Sequence, residues 1–157
     1  MKKTLLFAAK ALMVFFAFYL AIRTLEYFSF REDINFLLVR EELIKQWPWK
    51  LSFYLHISGA LVALAVGSVQ FWPSMRKRHL KLHKVLGKIY TLGIVIAAPA
   101  GLYMAVFARG GIFAQIGFVC MDLAWIYTTY RGVHAIIVEK NVAVHRDWIT
   151  RSYAVTF

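Results

Sequence analysis

The sequence has few of the residues that small soluble enzymes use for stability or catalysis. It contains one cysteine, Cys120, so no disulfide can form within the chain, and cysteine usage does not indicate the redox compartment. Acidic residues are also scarce, with 8 Asp and Glu against 19 Lys and Arg. We find no glycine-rich phosphate loop, serine nucleophile elbow, close pair of carboxylates or internal repeat. These absences argue against a classical hydrolase or transferase.

Apolar residues are abundant and grouped in long blocks. The chain is 61% hydrophobic, with a mean hydropathy of +0.59, whereas a soluble domain is about half apolar. Crossing a hydrocarbon core of roughly 30 Å takes about 20 helical residues. Four blocks approach or exceed that length: residues 4–22, 51–72, 85–107 and 112–138. The sequence therefore predicts an all-α transmembrane helical bundle with four full spans, surrounded by the lipid bilayer.

The segments between and after these blocks refine the prediction. Lys2 and Lys3 resemble the start of a secretory signal, but no small-x-small cleavage site follows, so we expect a retained first helix. In the loop 23–50, Ser29 and Glu32 have the spacing of a capping box before a short helix. This helix would lie on the membrane surface or pack on its neighbours. Residues 145–157, about 20 Å as a helix, predict a partial fifth helix. We divide the chain into two parts. Residues 1–50 form the first transmembrane helix and an extracytoplasmic loop, and residues 51–157 form the helical bundle.

The net charge of +11 predicts orientation and partners. Most basic residues flank apolar blocks, which favours contact with anionic lipid headgroups and argues against nucleic acid. The second loop, 73–84, contains basic residues and no acid: Arg76, Lys77, Arg78, Lys81 and Lys84. The excess of positive charge on this side predicts a multi-pass protein with its N-terminus and second loop in the cytoplasm.

Five histidines are the main candidates for a functional site. Four of them fall at the predicted cytoplasmic face (His79, His83, His134 and His145), and His56 lies near the other face. Small residues follow two of them at helical spacing: Gly59, Ala63 and Gly67 after His56, and Gly87, Ala97 and Gly101 after His83. Such stripes permit either close helix packing or room for a flat cofactor.

The leading hypothesis is one b-type haem or a metal, used for electron transfer. His83 and His145, with His134 as another candidate, would supply the axial imidazoles, and Gly87 would allow close approach. Arg146 or Arg151 would hold a haem propionate or a lipid phosphate. His56 has no histidine partner at its depth. The alternative to haem is a divalent metal held by His79, His83 and His145. A membrane redox partner or a second copy of the chain would complete the system.

Two other functions stay open. The chain could be a non-enzymatic scaffold or assembly factor that binds lipid headgroups or partner helices. It could instead be a small proton-coupled carrier that uses Asp122, an acid within the fourth apolar block. We expect Asp122 to pair with Lys10 or Lys88, or to be protonated.

The C-terminal residues resemble a known signature. His145-Arg146-Asp147-Trp148-Ile149-Thr150-Arg151-Ser152-Tyr153-Ala154-Val155-Thr156-Phe157 is similar to the H-R-x-W-M-x-R-S-Y-A-x-T-F motif of an uncharacterised bacterial membrane family, domain of unknown function 2306. Residues 53–57, 70–71 and 83–90 fit as well. The resemblance implies a membrane bundle with equivalent positions at His56, His83 and His145, and no established reaction. Family members continue past the motif, so this chain is expected to lack part of its last helix. Lys84 and Lys88 stand where the family has arginine.

Overall fold

A computed structural model describes residues 2–157, apart from the side chains of Lys2, Lys3, Leu6 and Pro73. In this part of the chain, all regular secondary structure is helical. In chain order the helices are α1 (Lys2–Thr24), α2 (Asn35–Leu38), α3 (Glu41–Ile44), α4 (Trp47–Val69), α5 (Pro73–Arg78), α6 (Leu80–Ala105), α7 (Gly111–Ile137) and α8 (Val142–Thr156). A 3-10 turn, Leu25–Ser29, follows α1.

Within that described part, four helical segments are long and apolar enough to cross a membrane: Phe7–Ser29, Trp47–Val69, Leu80–Ala105 and Gly111–Ile137. They confirm the four spans predicted from the apolar blocks. Because the spans alternate in direction, the bundle has two ends. We call the end that carries α5 and the α7–α8 turn the second-loop face, and the opposite end the first-loop face. Side chains exposed on the spans face lipid rather than water.

Local sequence explains where the long helices begin and end. Pro48 lies in the first turn of α4, where a missing backbone N–H costs nothing. Gly110 and Gly111 have φ values of 103° and 71°, which glycine adopts readily, and they form the tight α6–α7 connection expected from sequence. The side chain of Asn141 caps α8 by accepting from the backbone N–H groups of Ala143 and Val144, each at 3.1 Å. The helix expected after the fourth span is confirmed as α8, which has 15 residues and begins three residues before the predicted start at His145.

Small residues set how closely the helices pack. α4 lies mainly against α6, and α7 lies mainly against α8. A Cβ built on Gly59 of α4 would stand 2.3 Å from the carbonyl oxygen of Gly93 on α6. A Cβ on Gly67 would stand 2.6 Å from the Tyr153 ring. At these positions the small residues therefore serve close helix packing, the first of the two interpretations of the stripes.

The first loop differs from its prediction. Phe30 has a left-handed φ of 57° and ends the 3-10 turn, so no helix can start at Ser29. The Ser29 hydroxyl instead donates to the Glu26 carbonyl oxygen at 2.7 Å, and the predicted capping box is wrong. The two one-turn helices α2 and α3 take the place of one helix. Their residues Leu37 and Ile44 are fully buried in a cluster with residues of α4, which shows a loop packed on its neighbours.

Arg40 joins this loop to the end of α6. Its Nη1 donates to the Phe107 carbonyl oxygen at 2.8 Å. Burial, and then the charge of Arg109, hold the pKa of Arg40 below its ordinary value. The contact therefore has to compensate for desolvation of the guanidinium and for repulsion between two cations.

We expect Arg40→Ala to loosen the loop while leaving the bundle folded. Amide hydrogen exchange across residues 35–44 should become about tenfold faster, within the range for losing one hydrogen bond from a charged donor. Arg31→Ala is the matched control, because Arg31 is exposed and pairs only locally with Asp33. Equal exchange rates in the two variants would show that Arg40 does not hold the loop.

Candidate functional site

His145 lies one turn into α8 and is held in a defined tautomer. Its Nδ1 lies 2.8 Å from the carbonyl oxygen of Gly132 on α7. A carbonyl oxygen only accepts, so Nδ1 carries the proton and Nε2 keeps its lone pair. Metal-binding histidines typically have this arrangement, in which one ring nitrogen donates to a carbonyl and the other is free to bind. A Cβ on Gly132 would come within 2.6 Å of Ile149, so this hydrogen bond depends on glycine.

His83 lies in the first turns of α6 and contacts Gln70, the residue that ends α4. The Gln70 carboxamide nitrogen donates to His83 Nδ1 at 2.6 Å and to the His83 carbonyl oxygen at 3.1 Å. Its oxygen accepts from the Gly87 backbone N–H at 3.1 Å. Because Nδ1 accepts here, the proton of a neutral His83 resides on Nε2. Gly87 contacts the Gln70 carboxamide through its backbone N–H, and the role predicted for Gly87 stays a prediction.

The second-loop face brings some of the predicted residues together and separates others. His145 and Arg76 lie within electrostatic range of His83. His79 is exposed at the end of α5. His134 donates from Nδ1 to a Glu139 carboxylate oxygen at 2.9 Å. The structure thus brings His145 into the surroundings of His83 and engages His134 elsewhere. Over residues 2–157, no group of three or more His, Cys, Asp or Glu is arranged to hold a metal ion.

The two arginines predicted to hold an anion lie on the outside of α8. Arg146 Nε is 3.4 Å from the Asp147 carboxylate, and both side chains are exposed. The Arg151 guanidinium carbon lies 4.5 Å from the centre of the Trp148 ring. The roles predicted for them stay predictions.

A network of hydroxyl groups lies beneath His145, between α6, α7 and α8. Ser152 Oγ is fully buried and lies 2.7 Å from both Tyr90 Oη and Thr129 Oγ1. Thr156 Oγ1 accepts from Trp125 Nε1 at 2.7 Å and lies 3.1 Å from Tyr90 Oη. Every member has a partner, so the network rigidifies the helix contacts. Sequence reasoning missed it, although the spacing of four in both Ser152–Thr156 and Trp125–Thr129 was a signal.

His56 and Asp122 meet nearer the first-loop face. His56 Nδ1 donates to the Ala97 carbonyl oxygen at 2.9 Å. A Cβ on Gly101 would stand 2.6 Å from His56 Nδ1 and 2.9 Å from Asp122 Oδ1, so both side chains lie against that glycine. The Trp125 ring packs edge-on against His56, with 6.3 Å between ring centres. Asp122 is only 6% exposed.

Neither lysine suggested for Asp122 pairs with it. Lys10 Nζ donates instead to the Phe71 carbonyl oxygen at 3.3 Å, and Lys88 is exposed. Among the described side chains no salt bridge includes Asp122. The expected ion pair is therefore wrong. The physical reason is that Gly101 opens space on α6 for the carboxylate, beside His56 and away from both lysines.

Comparison with known families gives an identification at family level. A family described as predicted membrane proteins, domain of unknown function 2306, matches residues 53–157. The chain belongs to this family. The match begins within α4 and includes all of α5 to α8, so His56, His83, His145 and the hydroxyl network lie in the domain of unknown function 2306. The resemblance stated from the C-terminal motif is confirmed. No curated protein and no solved structure matches the chain.

Proposed function

We propose that this protein is a multi-pass protein of the bacterial inner membrane that binds one b-type haem between His83 and His145 and transfers electrons. The observation that carries the proposal is the tautomer of His145. Its Nδ1–H is fixed by the Gly132 carbonyl at 2.8 Å, which leaves Nε2 as a ligand, and His83 lies within electrostatic range. A haem with two imidazole ligands supplies one-electron redox chemistry.

For His83 to bind haem through Nε2, its ring proton has to move from Nε2 to Nδ1. Ligation through Nε2 needs the His83 proton on Nδ1, which would then donate to an acceptor. Gln70 can supply that acceptor if its carboxamide turns so that the oxygen, in place of the nitrogen, faces Nδ1. This turn gives up the Gln70 hydrogen bonds to the His83 carbonyl oxygen and to the Gly87 backbone N–H, each at 3.1 Å.

The proposed orientation places the N-terminus and the second-loop face in the cytoplasm. The basic residues of the second loop support it, since loops rich in lysine and arginine are retained on that side. The haem would then lie near the cytoplasmic surface, within reach of a membrane redox partner. Arg146 is exposed at the same face and remains the candidate for holding a propionate.

An absorption spectrum tests the proposal directly. We expect the protein purified in detergent, after expression with added haem precursor, to show a Soret band and about one haem per chain. His83→Ala and His145→Ala should each remove most of the bound haem. His79→Ala is the matched control and should keep it, because His79 is exposed at the same face.

Three outcomes decide between the ligands. Loss of the Soret band in the His83 and His145 variants, but not in the His79 variant, supports haem. Absence of haem together with stoichiometric zinc or another divalent metal by mass spectrometry, lost in the His79, His83 and His145 variants alike, supports the metal site instead. A protein that is folded by circular dichroism and has neither group contradicts the proposal.

A further inference from the structure

The outer surface of α7 and α8 carries two arginines on one aromatic ring. The Arg151 guanidinium lies over Trp148 at 4.5 Å and that of Arg131 at 5.7 Å, each measured to the ring centre. The edge of the Tyr127 ring packs against the same indole, at 5.5 Å between ring centres and 87° between planes. The π system of the indole therefore attracts both cations. Sequence places Tyr127 and Arg131 on one stripe of α7, which explains their common contact.

The positive charge here is incompletely neutralised. Arg131 shares Glu139, at 3.7 Å, with His134, which donates to the same carboxylate oxygen. Arg151 forms no salt bridge with any described residue. The Arg131 Nε is buried and finds no hydrogen-bond partner in the described part of the chain. The exposed Arg151 guanidinium is thus left without an acidic partner, on an indole that also contacts a second cation, an arrangement that favours a bound anion.

The depth of Arg131 and Arg151 in the membrane indicates which kind of anion they would bind. Arg131 precedes the end of α7 at Ile137 by about 9 Å along the helix axis, and Arg151 lies about 14 Å along α8 from its start. Arg151 and Tyr127 are exposed on the bundle surface, which faces lipid at this level. A guanidinium in that position costs several kcal/mol unless it draws in water or a headgroup phosphate. The flexible stems of both arginines allow the charged groups to reach toward the interface.

We propose that Arg131, Trp148 and Arg151 form a binding site for a phosphate group, supplied by an anionic phospholipid of the leaflet at the second-loop face. The site is separate from His83 and His145 and does not depend on haem. The planar guanidinium of each arginine matches two phosphate oxygens, and Trp148 fixes the spacing of the pair. Arg146 does not belong to the site, because it pairs with Asp147 on another side of α8.

Native mass spectrometry of the delipidated protein tests this site. We would titrate phosphatidylglycerol, phosphatidylcholine and inorganic phosphate separately. We expect at least one phosphatidylglycerol to bind saturably and about tenfold more tightly than phosphatidylcholine. The double variant Arg131→Gln/Arg151→Gln should reduce phosphatidylglycerol binding about tenfold. Arg146→Gln is the matched control on the same helix and should bind as the unaltered protein does.

The titrations also distinguish the source of the phosphate. Tight lipid binding that millimolar inorganic phosphate does not displace indicates a headgroup site, whereas displacement by phosphate indicates a site for the free ion. Equal binding of the two lipids with no phosphate binding would overturn the proposal, as would a folded double variant that binds normally. If the double variant does not fold, Arg151→Lys replaces it. Lysine keeps the charge but not the planar contact with Trp148, so unchanged affinity there also overturns the proposal.

Discussion

Gly59→Ala is expected to destabilise the bundle more than any other single methyl addition in α4. The added Cβ would stand 2.3 Å from the Gly93 carbonyl oxygen and 2.9 Å from the Ala97 Cβ. Both neighbours belong to the rigid part of α6, so no side-chain rotation relieves the contact and the helices must separate. Overpacking typically costs about 1–3 kcal/mol, and a clash with backbone places this variant at or above the upper end. At about 2–4 °C per kcal/mol, the apparent Tm should fall by roughly 6–12 °C.

Gly117→Ala provides a matched control. Gly117 lies within a span, on α7, and a Cβ there would meet nothing within 4 Å. This variant should melt at the same temperature as the unaltered protein or slightly above it, since alanine favours helix by up to about 1 kcal/mol over glycine. Thermal unfolding followed by circular dichroism in one detergent compares the two. If both variants melt alike, α4 and α6 do not pack through Gly59.

Trp125→Ala is the second substitution for which we expect a large loss of stability. Trp125 is 5% exposed, packs in the main core cluster and donates from Nε1 to Thr156 Oγ1 at 2.7 Å. Its ring also lies against His56. Removing the indole leaves a cavity where α6, α7 and α8 converge and deprives Thr156 of a donor. Truncation of a buried tryptophan costs about 3–5 kcal/mol.

Two further variants separate packing from hydrogen bonding at Trp125. Trp125→Phe removes the donor and part of the indole but keeps an aromatic ring, so it should cost less than Trp125→Ala. Loss of one interhelical hydrogen bond in a membrane costs about 0.6 kcal/mol on average and at most about 1.7 kcal/mol. Trp47→Ala serves as the control, because Trp47 is 70% exposed at the start of α4 and should change stability little. Unfolding in a mixed-micelle titration gives the three free energies. A Trp125→Ala value close to that of Trp47→Ala would contradict the assigned role.

The spans and α8 could be predicted from the sequence because lipid imposes a simple constraint. A backbone in hydrocarbon must satisfy its own hydrogen bonds, so a long apolar block becomes a helix whatever its neighbours are. The tight connection at Gly110 followed from two glycines between apolar blocks. The first loop lacks that constraint. Its conformation depends on how Leu37 and Ile44 pack against α4, which alternating charge and apolar residues do not reveal.

The candidate site was predictable only in part, for a related reason. The order of the apolar blocks placed His83 and His145 at one end of the bundle, but the sequence did not reveal the neighbours that fix their tautomers. Those neighbours, Gln70 and Gly132, come from other helices and approach through glycine contacts. The surroundings of Asp122 were missed likewise, because the position of Gly101 relative to His56 depends on the crossing of α4 and α6.

The polar character of α8 bears on how the protein is made. An isolated segment that contains Arg146, Asp147 and Arg151 would partition poorly from the translocation machinery into lipid. The Ser152 hydroxyl of α8 can be buried at low cost only where Tyr90 and Thr129 are already in place as hydrogen-bond partners. Biogenesis should therefore proceed in two stages, with the apolar spans inserted first and α8 docking afterwards onto a preassembled groove.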